Sequence, residues 1–168
     1  VEVARQATPI LPNTTLRPII ITSDNETQSI PTLLIEAATV AQADVVELPI
    51  VTTNGAEVSP SYLFQTMGFD VLPSFQQSVE WVRFVSVGQG RPALVINSID
   101  RTVVFGGLLK WEANMAADFA QLYDFSEVQS GFIDEQFYGS DIRSLQFSDE
   151  KVLLYGFVTE NTVIIAPD

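Results

Sequence analysis

The stretch 81-WVRFVSVGQGRPALVI-96 decides between two fold classes. Its centre, Gly88-Gln89-Gly90, has the G-x-G of a nucleotide-binding turn. A dinucleotide fingerprint needs a strand before its glycines and a helix after them, because the helix N-terminus meets the pyrophosphate. Here Arg91-Pro92 follows, and then a second apolar run, Ala93-Leu94-Val95-Ile96. Two such runs around a glycine-rich turn form a hairpin. Strand alternation puts Trp81, Arg83, Val85 and Val87 on one face and Val82, Phe84 and Ser86 on the other.

Outward from the hairpin, strands and helices mix. Pro18-Ile19-Ile20-Ile21-Thr22 is a short buried strand, and Ser23-Asp24-Asn25-Glu26 a polar turn. Ile30, Leu33, Leu34, Ala37, Ala38 and Ala41 recur at helical spacing, with Ser29 as cap and Pro31 in the first turn. Val45–Val51 is a strand that Pro49 assigns to an edge or a bulge. Ser59-Pro60 opens a short helix that Gly68 closes. Pro73-Ser74 is a break, with a single helical turn at Phe75–Val79. Residues 124–140 read as a loop with one short helix, and 142–147, 152–158 and 162–165 as a closing β meander. The fold expected is α+β: a single mixed, mostly antiparallel sheet with the two longer helices packed on one face. Residues 1–17, with Pro9, Pro12, Asn13, Thr14 and Thr15, read as an extended leader or linker, and residues 18–168 as a single domain.

The longer helix is expected over residues 101–123, capped by Asp100. Val104, Leu108, Trp111, Met115, Phe119 and Leu122 form its apolar stripe. Gly106 and Gly107 sit inside that pattern, where an anion-binding glycine is of no use. Each costs about 1 kcal/mol of helix stability relative to alanine. The expected return is a close approach of the helix backbone to the sheet, with room for the indole of Trp111.

Composition narrows the chemistry. The chain has 168 residues, 46% hydrophobic and 17% charged, which suits one globular domain with a real core. No apolar run reaches the roughly 18 residues of a membrane span. Cys and His are both absent, which removes thiol nucleophiles, disulfides, the usual zinc sites and every histidine-dependent triad. Neither lysine, Lys110 nor Lys151, lies in an S-x-x-K motif. There are 21 acidic residues against 8 basic ones, a net charge of −13, so nucleic acid and anionic lipid head groups are not expected partners, and basic proteins, cations or neutral ligands are. Asn13-Thr14-Thr15 and Asn25-Glu26-Thr27 match the glycosylation tripeptide. Starting at Val1 reads as a processed or truncated chain.

Between Trp111 and Ile142 there is no basic residue and there are seven acidic ones: Glu112, Asp118, Asp124, Glu127, Asp134, Glu135 and Asp141. These are the candidate partner-binding residues. A calcium site is the competing use, but the D-x-D-x-D-G spacing is missing, and no metal or cofactor is expected. A carboxylate hydrolase would need two facing acids, for which Glu80 and Glu112, each beside a tryptophan, are the candidates. A glycan-binding module would need exposed aromatics, for which Trp81, Tyr62 and Tyr138 are the candidates.

The segment from Pro92 to Phe119, with its apolar strand, Asn97-Ser98-Ile99-Asp100 turn and Phe105-Gly106-Gly107-Leu108-Leu109-Lys110-Trp111-Glu112 helix, resembles an uncharacterised domain of membrane-anchored proteins of candidate-phylum bacteria. Asp141-Ile142-Arg143 and the run from Lys151 to Ile165 are similar to that domain's closing β meander. The resemblance implies a domain outside the cytoplasm, held to the cytoplasmic membrane by an anchor not contained in this chain, with residues 1–17 as linker. It supplies no catalytic residues. The function expected is a non-enzymatic extracytoplasmic interaction domain, in an envelope or pilus-like assembly. A ligand- or glycan-binding module and a carboxylate-dependent hydrolase are the alternatives.

Overall fold

A computed structural model describes residues 6–22, 29–40, 45–86 and 91–168. In chain order the elements are β1 (Thr15–Leu16), β2 (Ile19–Ile21), α1 (Ile30–Val40), β3 (Val46–Leu48), β4 (Ile50–Thr52), α2 (Pro60–Met67) and α3 (Pro73–Ser78). There follow β5 (Val79–Ser86), β6 (Pro92–Ser98), α4 (Arg101–Phe119), β7 (Ile133–Phe137), β8 (Ser140–Gln146), β9 (Val152–Phe157) and β10 (Thr162–Pro167). The large sheet has eight strands in the order β1-β3-β5-β6-β10-β9-β8-β7. Its only parallel pair among the described residues is β1–β3, so the class is α+β with a mixed, mostly antiparallel sheet.

The hairpin reading holds for β5 and β6, which pair antiparallel with Val82 opposite Ile96 and Phe84 opposite Leu94. The Gly88-Gln89-Gly90 turn itself lies outside the described residues, as do Val87, Ala41, the polar turn at 23–26 and the tripeptide at 25–27. Local capping chemistry also holds. Ser59 Oγ accepts from the Tyr62 amide, Pro60 begins α2, and Gly68 ends it at φ 68°, a left-handed conformation that glycine takes without Cβ strain. Asp100 Oδ1 accepts from the Val103 amide at 3.1 Å and starts α4.

Three expectations need correction. The expected single sheet is accompanied by a two-stranded one, β2–β4. Pro49 is the reason: without an N–H it cannot continue the ladder, so the apolar run splits between two sheets. Its carbonyl instead accepts from the Ile19 amide at 2.8 Å. Residues 124–140 contain a strand, β7, and no helix. The long helix ends at Phe119, and Leu122 and Tyr123 continue as a turn whose amides both reach the Phe119 carbonyl. The ring of Tyr123 stacks on Phe119, and its hydroxyl donates to the Pro92 carbonyl.

The leader region is part of the packed structure from Gln6 on. Gln6 bridges Ala56, and Thr15–Leu16 pair with β3. The hairpin is therefore buried on both faces at Arg83, Phe84, Val85 and Ser86.

The double glycine resolves into two different positions. A Cβ on Gly106 would meet nothing within 4 Å, and the residue is exposed. A Cβ on Gly107 would lie 2.5 Å from Phe75 Cδ2 and 2.9 Å from Phe75 Cβ. Close packing is thus the use of Gly107, but its neighbour is α3 and not the sheet. Phe75 has no room to retreat: it is fully buried and packs on Phe64 and Trp111, with centroids 5.7 and 5.9 Å away. Gly107→Leu is therefore expected to cost about 1–3 kcal/mol by overpacking. Gly106→Ala is expected to stabilise the helix by up to about 1 kcal/mol. Urea denaturation of the two variants checks the pair, and equal midpoints would place Gly107 away from α3.

Candidate functional site

Helix α4 turns one side to the core and leaves Phe105 and Leu109 partly open. Beside them the β7–β8 hairpin stands against the helix and encloses a cleft. One part, about 480 Å³, is lined by Arg101, Thr102, Phe105, Ser140, Asp141 and Phe157. Asp134, Arg143 and Tyr155 line a smaller hollow that shares Phe105, Asp141 and Phe157. The guanidinium of Arg101 sits 4.1 Å over the Phe157 ring and its Nη1 donates to the Glu160 carbonyl at 3.0 Å, which holds this rim in place.

The chemistry of the cleft centres on Glu112. It accepts from Arg143 Nε at 2.5 Å, Arg143 Nη2 at 2.9 Å and the Tyr155 hydroxyl at 2.6 Å. The remaining donor, Arg143 Nη1, goes to Asp134 at 2.7 Å. This is a two-pronged guanidinium–carboxylate pair with a phenol on one oxygen. The hydrogen bond that Arg143 donates to Glu112 raises its pKa further, against burial, and Arg143 stays charged. Burial, aided by Glu112, pushes the Tyr155 hydroxyl up, so it acts only as a donor.

The seven candidate acids are dispersed by the fold. Asp134 and Asp141 line the smaller hollow, and Glu112 meets its Arg143 and Tyr155 from α4. Asp118 faces elsewhere: it accepts from Trp111 Nε1 at 2.6 Å and the Asp70 amide at 2.8 Å, a bond that orients the core indole. Glu135 accepts from Ser144 Oγ at 2.5 Å on the other face of the sheet, since adjacent strand residues alternate. Asp124 and Glu127 are exposed beyond the end of α4, where the Asp124 carbonyl takes a hydrogen bond from Lys151 and the Glu127 carbonyl one from Ser148. Among the described residues no group of three or more acidic side chains is arranged to hold a metal ion.

Glu80 and Glu112 do not face each other. Glu112 reaches β8 and β9, whereas Glu80 starts β5, three strand spacings from β9. At about 4.8 Å per strand that is roughly 14 Å. Glycosidase carboxylates stand about 5–9.5 Å apart. Of the three aromatic candidates, Tyr138 is 95% exposed, Tyr62 44% exposed and Trp81 half-buried. They occupy the β7–β8 turn, α2 and β5, and so share no element.

A second ionic group lies behind the sheet. Glu47, fully buried, pairs with Arg83, also buried, and Arg83 pairs in addition with Glu57. Glu47 further accepts from the Leu11 amide at 2.7 Å, the Ile10 amide at 2.9 Å and Thr14 Oγ1. Arg83 Nη1 also donates to the Thr8 carbonyl at 2.7 Å. Burial alone raises the Glu47 pKa, but the bonds from Thr14, Leu11, Arg83 and Ile10 together hold it below the ordinary glutamate value. A signal for this group exists in the sequence. Glu47 is a single acid inside Val45–Val51, and Arg83 a single base inside Trp81–Val87. Opposite charges alone in two apolar strands are the pattern of a buried pair.

No family model matches the chain, and no curated protein or solved structure matches it. Among the described residues no helix is long and apolar enough to cross a membrane.

Two outcomes are expected. The folded-state pKa of Glu47 is depressed, so its contribution is complete above the ordinary glutamate value and is lost as pH falls through the lower folded value. Glu47→Gln should cost about 1–3 kcal/mol at neutral pH, because Arg83 stays buried with Glu57 as its remaining carboxylate and the bonds to residue 47 lose their charge. The variant should also flatten the fall in melting temperature on acidification, and a fall as steep as the unmodified chain's would mean that Glu47 does not carry it. Tyr155→Phe should cost about 1 kcal/mol, measured by urea denaturation, because Glu112 keeps both bonds from Arg143.

Proposed function

We propose that this chain is a non-enzymatic interaction domain that works outside the cytoplasm, where an anchor holds the complete protein to the membrane. It docks a basic protein partner on the side formed by α4 and the β7–β8 hairpin. We place α1 and α4 on the same face of the large sheet. Strand alternation supports this: Ser86, whose hydroxyl meets the Ala38 carbonyl of α1, and Tyr155, whose hydroxyl meets Glu112 of α4, have the same parity across the paired strands.

One observation carries the docking reading. Around the cleft, Glu112, Asp134 and Asp141 stand against Arg143 and Arg101, so three carboxylates and two guanidiniums leave one negative charge. Partly open apolar rings and chains, Phe105 and Leu109, lie beside them. Apolar area ringed by one sign of charge supports association that is steered by charge and held by burial. The location outside the cytoplasm rests on the resemblance of Pro92–Phe119 and of the closing meander.

The test is retention of envelope-extract proteins on the immobilised domain at low and at high salt, beside an Asp134→Asn, Asp141→Asn variant. A protein held at low salt, released at high salt and lost by the variant is the expected result. Equal retention by the variant overturns the docking side.

A further inference from the structure

Strand β7 ends the large sheet and has one neighbour, β8. All its residues are exposed. The turn to β8 has two central residues, Tyr138 at φ 48° and Gly139 at φ 81°. Two positive φ values in a two-residue loop are the type I′ hairpin, in which the flanking residues exchange both hydrogen bonds. Phe137 with Ser140, Glu135 with Ile142 and Ile133 with Ser144 are then the hydrogen-bonded pairs. It follows that the amides and carbonyls of Asp134 and Gln136 point away from the sheet, and among the described residues no strand pairs with them. The opposite edge, β1, is only two residues long.

We propose that β7 is a strand-addition site for an extended segment of a partner chain in which basic and apolar residues alternate. This rests on the interaction reading above and names the form of the partner. Edge addition takes its affinity from main-chain bonds and its specificity from alternate side chains. Asp134 and Gln136 lie on the face of the cleft, where the three carboxylates of Glu112, Asp134 and Asp141 outnumber Arg143 and Arg101 by one. A Lys or Arg on that face of the incoming strand meets this charge. Ile133 and Phe137 lie on the other face, 49% and 59% exposed, and apolar residues of the incoming strand cover them. A second copy of this chain is a poor occupant. Antiparallel self-pairing centred on Asp134 or on Glu135 would set that carboxylate against its own copy, and like charges opposite one another destabilise a ladder. Acidic residues on an edge are commonly a guard against self-association. Here the same charge also selects the sign of what can bind.

The probe is a capped, labelled octapeptide of alternating lysine and valine, beside one of identical composition with the lysines and valines in separate blocks. Both are titrated against the full chain at low salt. The alternating peptide is expected to bind at least about tenfold more tightly. Binding should slow hydrogen exchange at the Asp134 and Gln136 amides by about tenfold or more, because new main-chain bonds protect them. Gln136→Pro should weaken binding by about tenfold or more without lowering the melting temperature, since an edge strand tolerates proline where the amide points outward. Equal binding of the two peptides overturns the proposal, and so does unchanged exchange at both amides in the unmodified chain. A micromolar dimer of the free chain that Gln136→Pro abolishes overturns it in favour of self-pairing. In the first two cases salt-sensitive peptide binding that persists leaves the docking side standing, and loss of all binding removes both.

Discussion

The buried pair of Glu47 and Arg83 is the constraint on which the rest of the molecule depends. Two charges taken out of water cost several kcal/mol each unless every polar atom is met. Glu47 is met by Arg83, Thr14 and the amides of Ile10 and Leu11, all on one carboxylate. Three of those partners, Thr14, Ile10 and Leu11, come from the N-terminal segment. The carboxylate thus ties the N-terminal strand region to β3, beside the buried Val85 and Val95. A pair of this kind adds little net stability, but loss of Arg83 would strand Glu47 in the interior, which makes the register of β3 against β5 specific.

On the other side of the sheet the organising contacts are aromatic. Phe64, Phe69, Phe75 and Phe119 surround Trp111 with centroids 5.3 to 6.4 Å from its own. Tilted rings at these separations meet edge against face, the arrangement the ring quadrupoles favour. Gly107 belongs to this group by what it lacks, since the missing Cβ is the space into which Phe75 fits. With α3 and α4 locked in this way, Glu112 projects from a rigid helix toward β8 and β9, and Arg143 and Tyr155 meet it there. The cleft is therefore a consequence of core packing, set by where α4 sits.

The acidic surface has more than one role. Asp118 orients Trp111, Glu112 and Asp134 neutralise Arg143, and Glu135 satisfies Ser144. What remains for a partner is the excess charge around the cleft and the unpaired edge beside it. Side chains committed to the fold hold the edge strand in place, and the strand's outward backbone is what a second chain can use.

The sequence by itself determined the elements whose signals are local. The β5–β6 hairpin, the Ser59-Pro60 to Gly68 helix, the Asp100 cap and the stripe from Val104 to Phe119 all follow from periodicity and capping within a few residues. Only the tertiary structure decided the rest. Strand β7 has no core-facing residue and no apolar period, so it exists because β8 offers it a ladder through the Tyr138-Gly139 turn. The split at Pro49 needed a second strand, β2, to receive the displaced half. Glu47 and Arg83 lie 36 residues apart, and seven acids in one run were sorted onto different faces by strand parity and helix rotation. Charges carry no periodic signature of their own, and their roles are assigned by neighbours that only the folded chain supplies.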